Sequence, residues 1–319
     1  MKKVIVIGGS GHIGSYLVPK LVRAGYKVVN ISRGHSKPYK EDNHWREVEN
    51  VSLNRDNAPQ GEFEKKIAEL GGDIVVDLIN FSFDHTKSMA AALKNTNLSH
   101  YLYCSSIWAH GKATTLPIVE DQPKFPLDHY GIDKAKSEAY LHNLYQSEGF
   151  PETVIMPGQI SGPGWVIINP VGNLDVSVFQ KIQRGEETVL PNFGMETLHH
   201  VHADDVAQVF FQAITHRNIA LGESFHAVGS ESITLYGYAQ ALYRWFGHEE
   251  KIKFLPWKEW CDFTNDEDQT EKTYLHIVRS GHFSIEKGKR LIDYYPRHTL
   301  LEAVYESIDF LVRNNWLDK

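Results

Sequence analysis

The sequence predicts an α/β protein built on a doubly wound parallel sheet, with a smaller C-terminal lobe. Short runs of β-branched residues alternate with longer segments of helical spacing through the first half of the chain. These runs are apolar at nearly every position, which is typical of strands covered by helices on both faces of a sheet. A glycine-rich turn, residues 8–14, joins the first run directly to the first helical segment.

The predicted strands and helices follow one another in regular order. Strands are expected at 3–8, 26–32, 73–79, 100–106 and 152–157, and helices at 12–24, 86–95 and 129–149. In the first helix Ile13, Leu17 and Leu21 recur at helical spacing, and Gly25 follows as a C-cap. The glycine- and proline-rich stretch 158–173 is predicted to be a loop, whereas 198–214 returns to a strand followed by a helix.

Composition limits the classes of partner and of cellular environment. The 319 residues are 42% hydrophobic and 23% charged, as in ordinary globular proteins, and they can bury a large core. A net charge of −7 gives no support to a nucleic-acid or membrane-surface partner. Cys104 and Cys261 form no C-x-x-C pair, so we expect a reducing, cytoplasmic environment. No apolar segment approaches the roughly 20 residues that a membrane span requires.

The turn "GGSGHIG" has the spacing of a phosphate-binding loop. Gly8 permits the tight turn, Gly11 lets the main chain approach a pyrophosphate, and Gly14 lets the helix pack on its strand. The helix that follows presents unpaired N–H groups and the positive end of its dipole to an anion. The sequence therefore predicts a Rossmann-type dinucleotide site, with His12 and Ile13 in the turn beside the cofactor.

The pattern of the sequence changes near residue 160. Before this point strands and helices alternate, and beyond it the chain is rich in aromatic residues and mixed in pattern. We expect residues 1–162, joined by 198–228, to form the Rossmann-type NADP-binding domain. Residues 163–319 are expected to form the substrate-binding lobe.

The end of the second strand bears on the choice of dinucleotide. NAD sites usually carry an acidic residue there, about 20 residues past the turn, to bond the ribose 2′-hydroxyl. This chain has Ser32 and Arg33 instead, a hydroxyl and a guanidinium that suit a 2′-phosphate. We therefore expect NADP, while NAD stays open because Arg33 has the alternative of being a solvated surface residue.

Tyr130 and Lys134 are four residues apart in a predicted helix and therefore lie on one face of it. A phenol with a pKa of about 10 is a poor base at neutral pH. A nearby ammonium, together with an oxidised nicotinamide, favours the phenolate and lowers that pKa. The pair therefore predicts proton transfer by Tyr130 at a substrate oxygen, coupled to hydride transfer.

The surroundings of this pair resemble the extended short-chain dehydrogenase/reductases, also called the NAD-dependent epimerase/dehydratase family. Pro126, Tyr130, Gly131 and Lys134 match the family pattern P-x-x-x-Y-G-x-x-K. The resemblance spans nearly the whole chain through further matches in order, which are "DLIN" (77–80), "YCSSIWAHG" (103–111), "ISGPG" (160–164) and the closing segment 283–311.

The resemblance implies roles for further residues. Ser106 would bond the reacting oxygen and orient it toward Tyr130, and Lys134 would hold the cofactor ribose besides lowering the tyrosine pKa. Asn80, near that ribose, and Pro157 complete the expected cofactor-binding residues. The resemblance also implies a homodimer formed through helices that flank the sheet.

The chain departs from the family at positions that bear on the substrate. Dehydratases of the family carry two acidic residues where this chain has Ile107 and Trp108, so water elimination is disfavoured. Gln159 stands where sugar-nucleotide members usually have asparagine, and Met156 where an arginine is frequent. Leu198 aligns with a position that often holds a diphosphate-binding arginine. We therefore expect a smaller or less anionic substrate than a nucleotide sugar.

The stretch "LHHVHADDVA" (198–207) contains residue types that bind metals, yet we predict no metal site. His200 and His202 would share one face of a strand, with His199 on the other, so the three cannot converge alone. The stretch resembles the family's strand-to-helix landmark, in which an aspartate begins the helix and can cap it.

Together these features predict an oxidoreductase that transfers a hydride between a nicotinamide and a secondary alcohol or ketone, which can belong to a sugar. A sugar epimerase that retains its cofactor is the alternative among enzymes. A non-catalytic cofactor-sensing or RNA-binding protein on the same fold is the alternative from another class. The expected partner is a small molecule, with neither nucleic acid nor membrane.

Overall fold

The computed structural model describes residues 1–35, 37–59 and 61–317. Its strands are β1 (Lys3–Ile7), β2 (Lys27–Ser32), β3 (Glu49–Ser52), β4 (Ile74–Asp77), β5 (His100–Cys104), β6 (Glu152–Pro157), β7 (Gln159–Ser161), β8 (Thr188–Pro191), β9 (Thr197–Leu198), β10 (His200–His202), β11 (Ser224–Ala227), β12 (Ile233–Thr234) and β13 (Ile252–Leu255). Its helices are α1 (Gly14–Arg23), α2 (Glu62–Glu69), α3 (Phe83–Leu93), α4 (His129–Glu148), α5 (Val176–Gln183), α6 (Ala203–Thr215), α7 (Arg217–Ala220), α8 (Leu235–Trp245), α9 (Trp257–Thr264), α10 (Glu267–Ile277), α11 (Glu286–Ile292) and α12 (Leu300–Arg313). Short 3-10 turns occur at Asn43–Glu47 and Ile107–His110.

Seven strands form one parallel sheet in the order β11–β6–β5–β4–β1–β2–β3. The chain runs outward from β1 through β2 to β3, then crosses to the other side of β1 and continues through β4, β5 and β6. The direction of winding therefore switches between β1 and β4. In sheets of this kind ligands bind outside the carboxyl ends of the strands at the switch. The predicted fold class is confirmed.

The five predicted strands are all present, and their ends differ from the predicted ones by at most two residues. Strand β3 was not predicted, because it is a four-residue edge strand whose side chains are mostly exposed. Residues 158–173 are not a loop throughout, since Gln159–Ser161 pairs with β10 as strand β7. That pairing partner lies some 40 residues away in the sequence, so local pattern gives no sign of it.

The core is formed by the central strands and the helices that cover them. Strands β4, β5 and β6 are buried at every position, in keeping with their continuous apolar sequences. Helix α1 packs against α6, and α2, α3 and α4 pack in series. No helix within the described ranges is long and apolar enough to cross a bilayer.

A buried ionic cluster connects α4 to strands β6 and β11. His142 lies between them, with Nδ1 2.7 Å from Glu152 Oε1 and Nε2 2.9 Å from Ser224 Oγ. Burial opposes the charged form of His142, but hydrogen bonds to Glu138 and Glu152 outweigh it and raise its pKa to about 9. The charged histidine therefore helps to hold the helix against the edge of the sheet.

The raised pKa of His142 predicts a pH-dependent stability. A histidine in the unfolded chain titrates at about 6.5. The stabilisation is therefore complete below that pH and is lost as the pH rises through about 9. We expect the free energy of unfolding to fall across this window by about 1–3 kcal/mol, and His142→Gln to remove most of that fall. Urea unfolding at the two ends of the window measures it.

The matched control is His129→Gln, which alters an exposed histidine on the same helix and should keep the wild-type pH dependence. If His142→Gln retained the full fall in stability, the charge of His142 would have no part in it.

Candidate active site

The glycine turn follows β1 at the switch point of the sheet. Gly8 has a φ of +86°, and its N–H donates to Ile31 O at 2.8 Å. A Cβ at Gly14 would lie 2.2 Å from Gly9 O, so glycine is required by the turn itself more than by packing of the helix on its strand. Ile13 precedes the first residue of α1 and no side chain caps this helix, which leaves its N-terminus open to an anion.

Three adjoining clefts follow the carboxyl ends of the central strands. The β2-side cleft has a volume of about 300 Å³, the central cleft about 320 Å³ and the lobe-side cleft about 340 Å³. The first two share Gly8 and Gly11, and the last two share His12, Ser106 and Tyr130. The predicted residues that line the central cleft are Gly8, Gly11, His12, Ile13, Ser106, Tyr130, Lys134 and Pro157.

Lys134 connects α4 to the ends of two central strands. It is almost completely buried, and its ammonium donates to Asn80 O at 2.6 Å and to Cys104 O at 2.5 Å. Burial lowers the pKa of Lys134 to about 8. The remaining N–H of the ammonium has no partner in the described part of the chain, and Lys134 lines the central cleft.

Ser106 and Tyr130 lie where the central and lobe-side clefts meet. The Ser106 hydroxyl accepts the N–H of Trp108 at 3.2 Å, which fixes its position at the start of a 3-10 turn. Burial raises the pKa of Tyr130 above its usual value, and a hydrogen bond with Ser106 only partly opposes this. Lys134 Nζ is 5.4 Å from the centre of the Tyr130 ring. The expected lowering of the tyrosine pKa is therefore absent in the chain alone, because desolvation dominates.

A buried ion pair orients Asn80. Arg55 donates to both carboxylate oxygens of Asp77, at 3.2 and 2.8 Å, and Asn80 Nδ2 donates to the same carboxylate at 3.2 Å. Asn80 Oδ1 is buried without a hydrogen-bond partner among the described residues. Asn80 was predicted to bind the cofactor, but its side chain is fully buried and lines none of the three clefts.

The end of β2 brings Ser32 and Arg33 into the β2-side cleft. Arg33 is exposed and makes no ion pair within the described ranges, while Ser32 Oγ accepts the N–H of Gly34 at 3.3 Å. Asp56 lines the same cleft from the segment after β3. This carboxylate was missed because β3 was missed. The rule that residues following each central strand line the crevice could have found it.

An aromatic cluster between the glycine turn and the second lobe was also missed. The His12 ring stacks on Trp165 at 3.7 Å, and Tyr39 meets these two rings edge-on at 4.7 and 5.1 Å. Burial lowers the pKa of His12 to about 4, so its ring is neutral near pH 7. No sequence signal indicates this cluster, since its members come from three separate loops.

The histidines of 198–207 have separate surroundings. His199 packs edge-on against Phe283, and His200 Nδ1 lies 2.7 Å from Ser161 Oγ. His202 caps α6 by accepting the N–H of Asp204 at 3.0 Å, so the cap is a histidine and not the expected aspartate. Leu198 is fully buried and lines none of the three clefts, so it gives no direct information about the substrate.

Metal-ligand residue types do cluster near His202. The described chain contains two groups of three such residues, and within each group the potential ligand atoms lie within 4.8 Å of one another. The groups are His202, His298 and Glu306, and Asp204, Asp205 and His298. Because His202 Nδ1 accepts a main-chain N–H, its neutral ring carries the proton on Nε2, which faces Glu306 at 3.2 Å. His298 Nδ1 bonds Asp205 at 2.9 Å. These side chains are thus one another's hydrogen-bond partners.

A parallel sheet whose strand order reverses beside a glycine-rich turn, followed by a helix with an uncapped N-terminus, is typical of dinucleotide-binding proteins. The sequence profile of the NAD dependent epimerase/dehydratase family matches residues 4–227, and the protein belongs to this family. This membership confirms the prediction of an NAD(P)-dependent enzyme of the extended short-chain dehydrogenase type.

Proteins of several kinds are similar to this chain. A chloroplast stem-loop binding protein of 41 kDa from Arabidopsis thaliana is 27% identical over 320 residues, which cover 97% of this chain and 79% of the relative. A 2'-dehydrokanamycin reductase from Streptomyces kanamyceticus is 27% identical over 203 residues, 64% of this chain and 55% of its own length. The UDP-glucose 4-epimerase of Thermotoga maritima, solved with UDP-glucose, aligns with a TM-score of 0.75 at 20% identity over 98% of this chain and 99% of its own.

The glycine turn predicts different effects for its second and third glycines. Gly14→Ala should destabilise the fold by about 2 kcal/mol or more, because the new Cβ meets only main-chain atoms of Gly9. Gly11→Ala meets only Gly8 O, at 3.2 Å, and should keep the fold while weakening dinucleotide binding, since Gly11 lines two clefts. Thermal unfolding and nucleotide titration of both variants test this. Equal losses of stability would contradict it.

Proposed function

We propose that this protein is an oxidoreductase that transfers a hydride between a bound nicotinamide and a secondary alcohol or ketone, with Tyr130 as its acid/base. The observation that carries the proposal is the position of Ser106 and Tyr130 at the junction of two clefts. One of these clefts has the features of a dinucleotide site, and the other is open to a second molecule.

The residues of the central cleft fit a dinucleotide. The main chain of Gly11 and the uncapped N-terminus of α1 suit a pyrophosphate. The Lys134 ammonium lines this cleft and retains a donor that suits a ribose hydroxyl. When bound there, the nicotinamide supplies or accepts the hydride.

Ser106 and Tyr130 would handle the proton. Ser106 Oγ already accepts the N–H of Trp108, so its own O–H would turn from Tyr130 to donate to the substrate oxygen. Tyr130 would then donate its phenolic proton to that oxygen during reduction, or accept a proton during oxidation. Since burial keeps Tyr130 protonated in the chain alone, it suits a proton donor until a positive charge lies nearby.

Lys134 would act as a positioning residue as well as a ribose donor. Its two bonds to main-chain oxygens fasten the helix that carries Tyr130 to the ends of β4 and β5. A shift of the helix would move the phenol relative to Ser106, so the precision of the site depends on these bonds.

Tyr130→Phe should lower kcat by about 10²-fold or more while leaving stability and cofactor affinity nearly unchanged, because only the proton donor is lost. The rate of nicotinamide oxidation with a ketone substrate measures it. Tyr140→Phe is the matched control, since Tyr140 lies on the same helix, makes no hydrogen bond within the described chain and packs against Phe83. A Tyr130→Phe enzyme with wild-type kcat would exclude the proposed role.

Two other candidate functions would give different experimental results. A sugar epimerase would oxidise and re-reduce one carbon, retain its cofactor and show no net change in nicotinamide absorbance. Stem-loop binding is favoured by the Arabidopsis relative, whose match covers 97% of this chain. The net charge of −7 opposes it, and it predicts that the biological activity does not depend on Tyr130.

We further propose that the cofactor is NADP, with Ser32 and Arg33 at its 2′-phosphate. Both residues line the β2-side cleft, and Arg33 has its guanidinium free of protein partners among the described residues. Asp56 in the same cleft opposes an anion, so the preference depends on the arginine outweighing that carboxylate.

Arg33→Ala should weaken NADPH binding about 10–100-fold and leave NADH binding nearly unchanged, because only NADPH carries the 2′-phosphate. Titration of both cofactors by fluorescence measures it. Arg46→Ala removes another exposed arginine, one that lines none of the three clefts, and should change neither affinity. An equal effect of Arg33→Ala on both cofactors would exclude the assignment.

A cytoplasmic location and a homodimer remain proposals of ours. Cys104 and Cys261 are both free thiols, which suits a reducing compartment. The dimer rests on the family resemblance alone, and sedimentation of the purified protein would establish its oligomeric state.

A further inference from the structure

The lobe-side cleft receives Ser106 and Tyr130 on one side, and its other walls come largely from the segment 158–174. The lining contains no aspartate, glutamate, lysine or arginine among the described residues. Most of its surface is aliphatic or indole, contributed mainly by Trp108, Ile160, Trp165, Ile167, Ile168 and Leu174.

The two histidines of the lining are also uncharged near neutral pH. Burial lowers the pKa of both His12 and His276 to about 4. His276 Nδ1 lies 2.7 Å from Lys272 O, which fixes the proton of its neutral ring on that nitrogen. The cleft therefore offers no cation to a buried anion.

The aromatic walls are held in place by their own contacts. Trp165 Nε1 donates to Ile160 O at 3.1 Å while its ring stacks on His12. The Arg279 guanidinium lies 3.9 Å from the centre of the Trp108 ring and is paired with Asp128 at 3.2 Å. That cation is not part of the lining, and its charge is already matched.

Gln159 supplies a fixed polar group in these walls. Its Oε1 accepts the N–H of His199 at 2.7 Å, which decides the orientation of the amide because an N–H must face the oxygen. The amide nitrogen has no hydrogen-bond partner in the described residues, and Gln159 lines the cleft. It is a donor that a substrate acceptor can use.

From these observations we infer that the substrate is a neutral, largely apolar secondary alcohol or ketone with a second hydrogen-bond acceptor, which Gln159 recognises. The inference rests on the proposed function and names its substrate class. A nucleotide sugar would have to place a diphosphate at a cleft whose lining supplies no cation to bind it. An aryl or alkyl ketone instead matches the indole and aliphatic walls.

Calorimetric binding to the enzyme saturated with oxidised cofactor tests the inference, because ketones then bind without being reduced. The probes are 4-methoxyacetophenone, its isostere 4-ethylacetophenone, the anionic 4-acetylbenzoate, and UDP-glucose. We expect 4-methoxyacetophenone to bind at least about tenfold more tightly than either anion and about fivefold more tightly than the ethyl compound. Tighter binding of UDP-glucose, or no binding of either neutral ketone, would overturn the substrate class.

Two variants test the residues. Gln159→Leu should abolish the preference for 4-methoxyacetophenone over 4-ethylacetophenone and still bind the ethyl compound. A general loss of structure would weaken the binding of both ketones and would not produce this change in their affinity ratio. Leu174→Lys adds a cation at an exposed position of the lining and should raise the affinity for 4-acetylbenzoate about tenfold. Leu174→Ala is the control and should not raise it. Unchanged selectivity in Gln159→Leu would overturn the role of Gln159. Binding is measured without turnover, so these outcomes are independent of the kcat of Tyr130→Phe.

Discussion

The site depends on the buried ammonium of Lys134. Its bonds to Asn80 O and Cys104 O join helix α4 to the ends of β4 and β5, next to the point where the strand order of the sheet reverses. A buried ammonium is unfavourable unless its protons are used, so the helix cannot slide without leaving a charge unpaired. This constraint positions Tyr130, one turn earlier on the same helix, at the meeting point of two clefts.

Charge is distributed unevenly along the three clefts. The β2-side cleft contains Arg33, Asp56 and the ion-paired Arg55, whereas the lobe-side cleft contains none of the four charged residue types among the described residues. An anionic group therefore has electrostatic support toward β2 and none toward the second lobe. The same enzyme surface thus suits a charged cofactor at one end and an uncharged substrate at the other.

Much of the fold and part of the site could be predicted because their signals are local. Continuous apolar runs identified five central strands, and Gly8, Gly11 and Gly14 identified the turn after β1. Residues outside these patterns could not be found in this way. Strand β3 is too short and exposed to show a period, so Asp56 was missed. Tyr39 and Trp165 meet only because separate loops fold over the glycine turn.

The sequence by itself determined the parallel sheet, the glycine turn after β1 and the identity of the family, because each depends on residue types at short, regular spacing. Only the tertiary structure decided the electrostatics of the site. Burial raises the pKa of Tyr130 and lowers that of Lys134 to about 8, and both shifts depend on solvent exclusion by distant segments. The cap of α6 also depends on tertiary contacts. Residue type favoured aspartate, but Asp204 pairs with Lys20 and Asp205 accepts main-chain N–H groups from the segment before α12, while His202 accepts the N–H of Asp204. Desolvation and contact between remote residues are properties of the folded chain, and no local pattern encodes them.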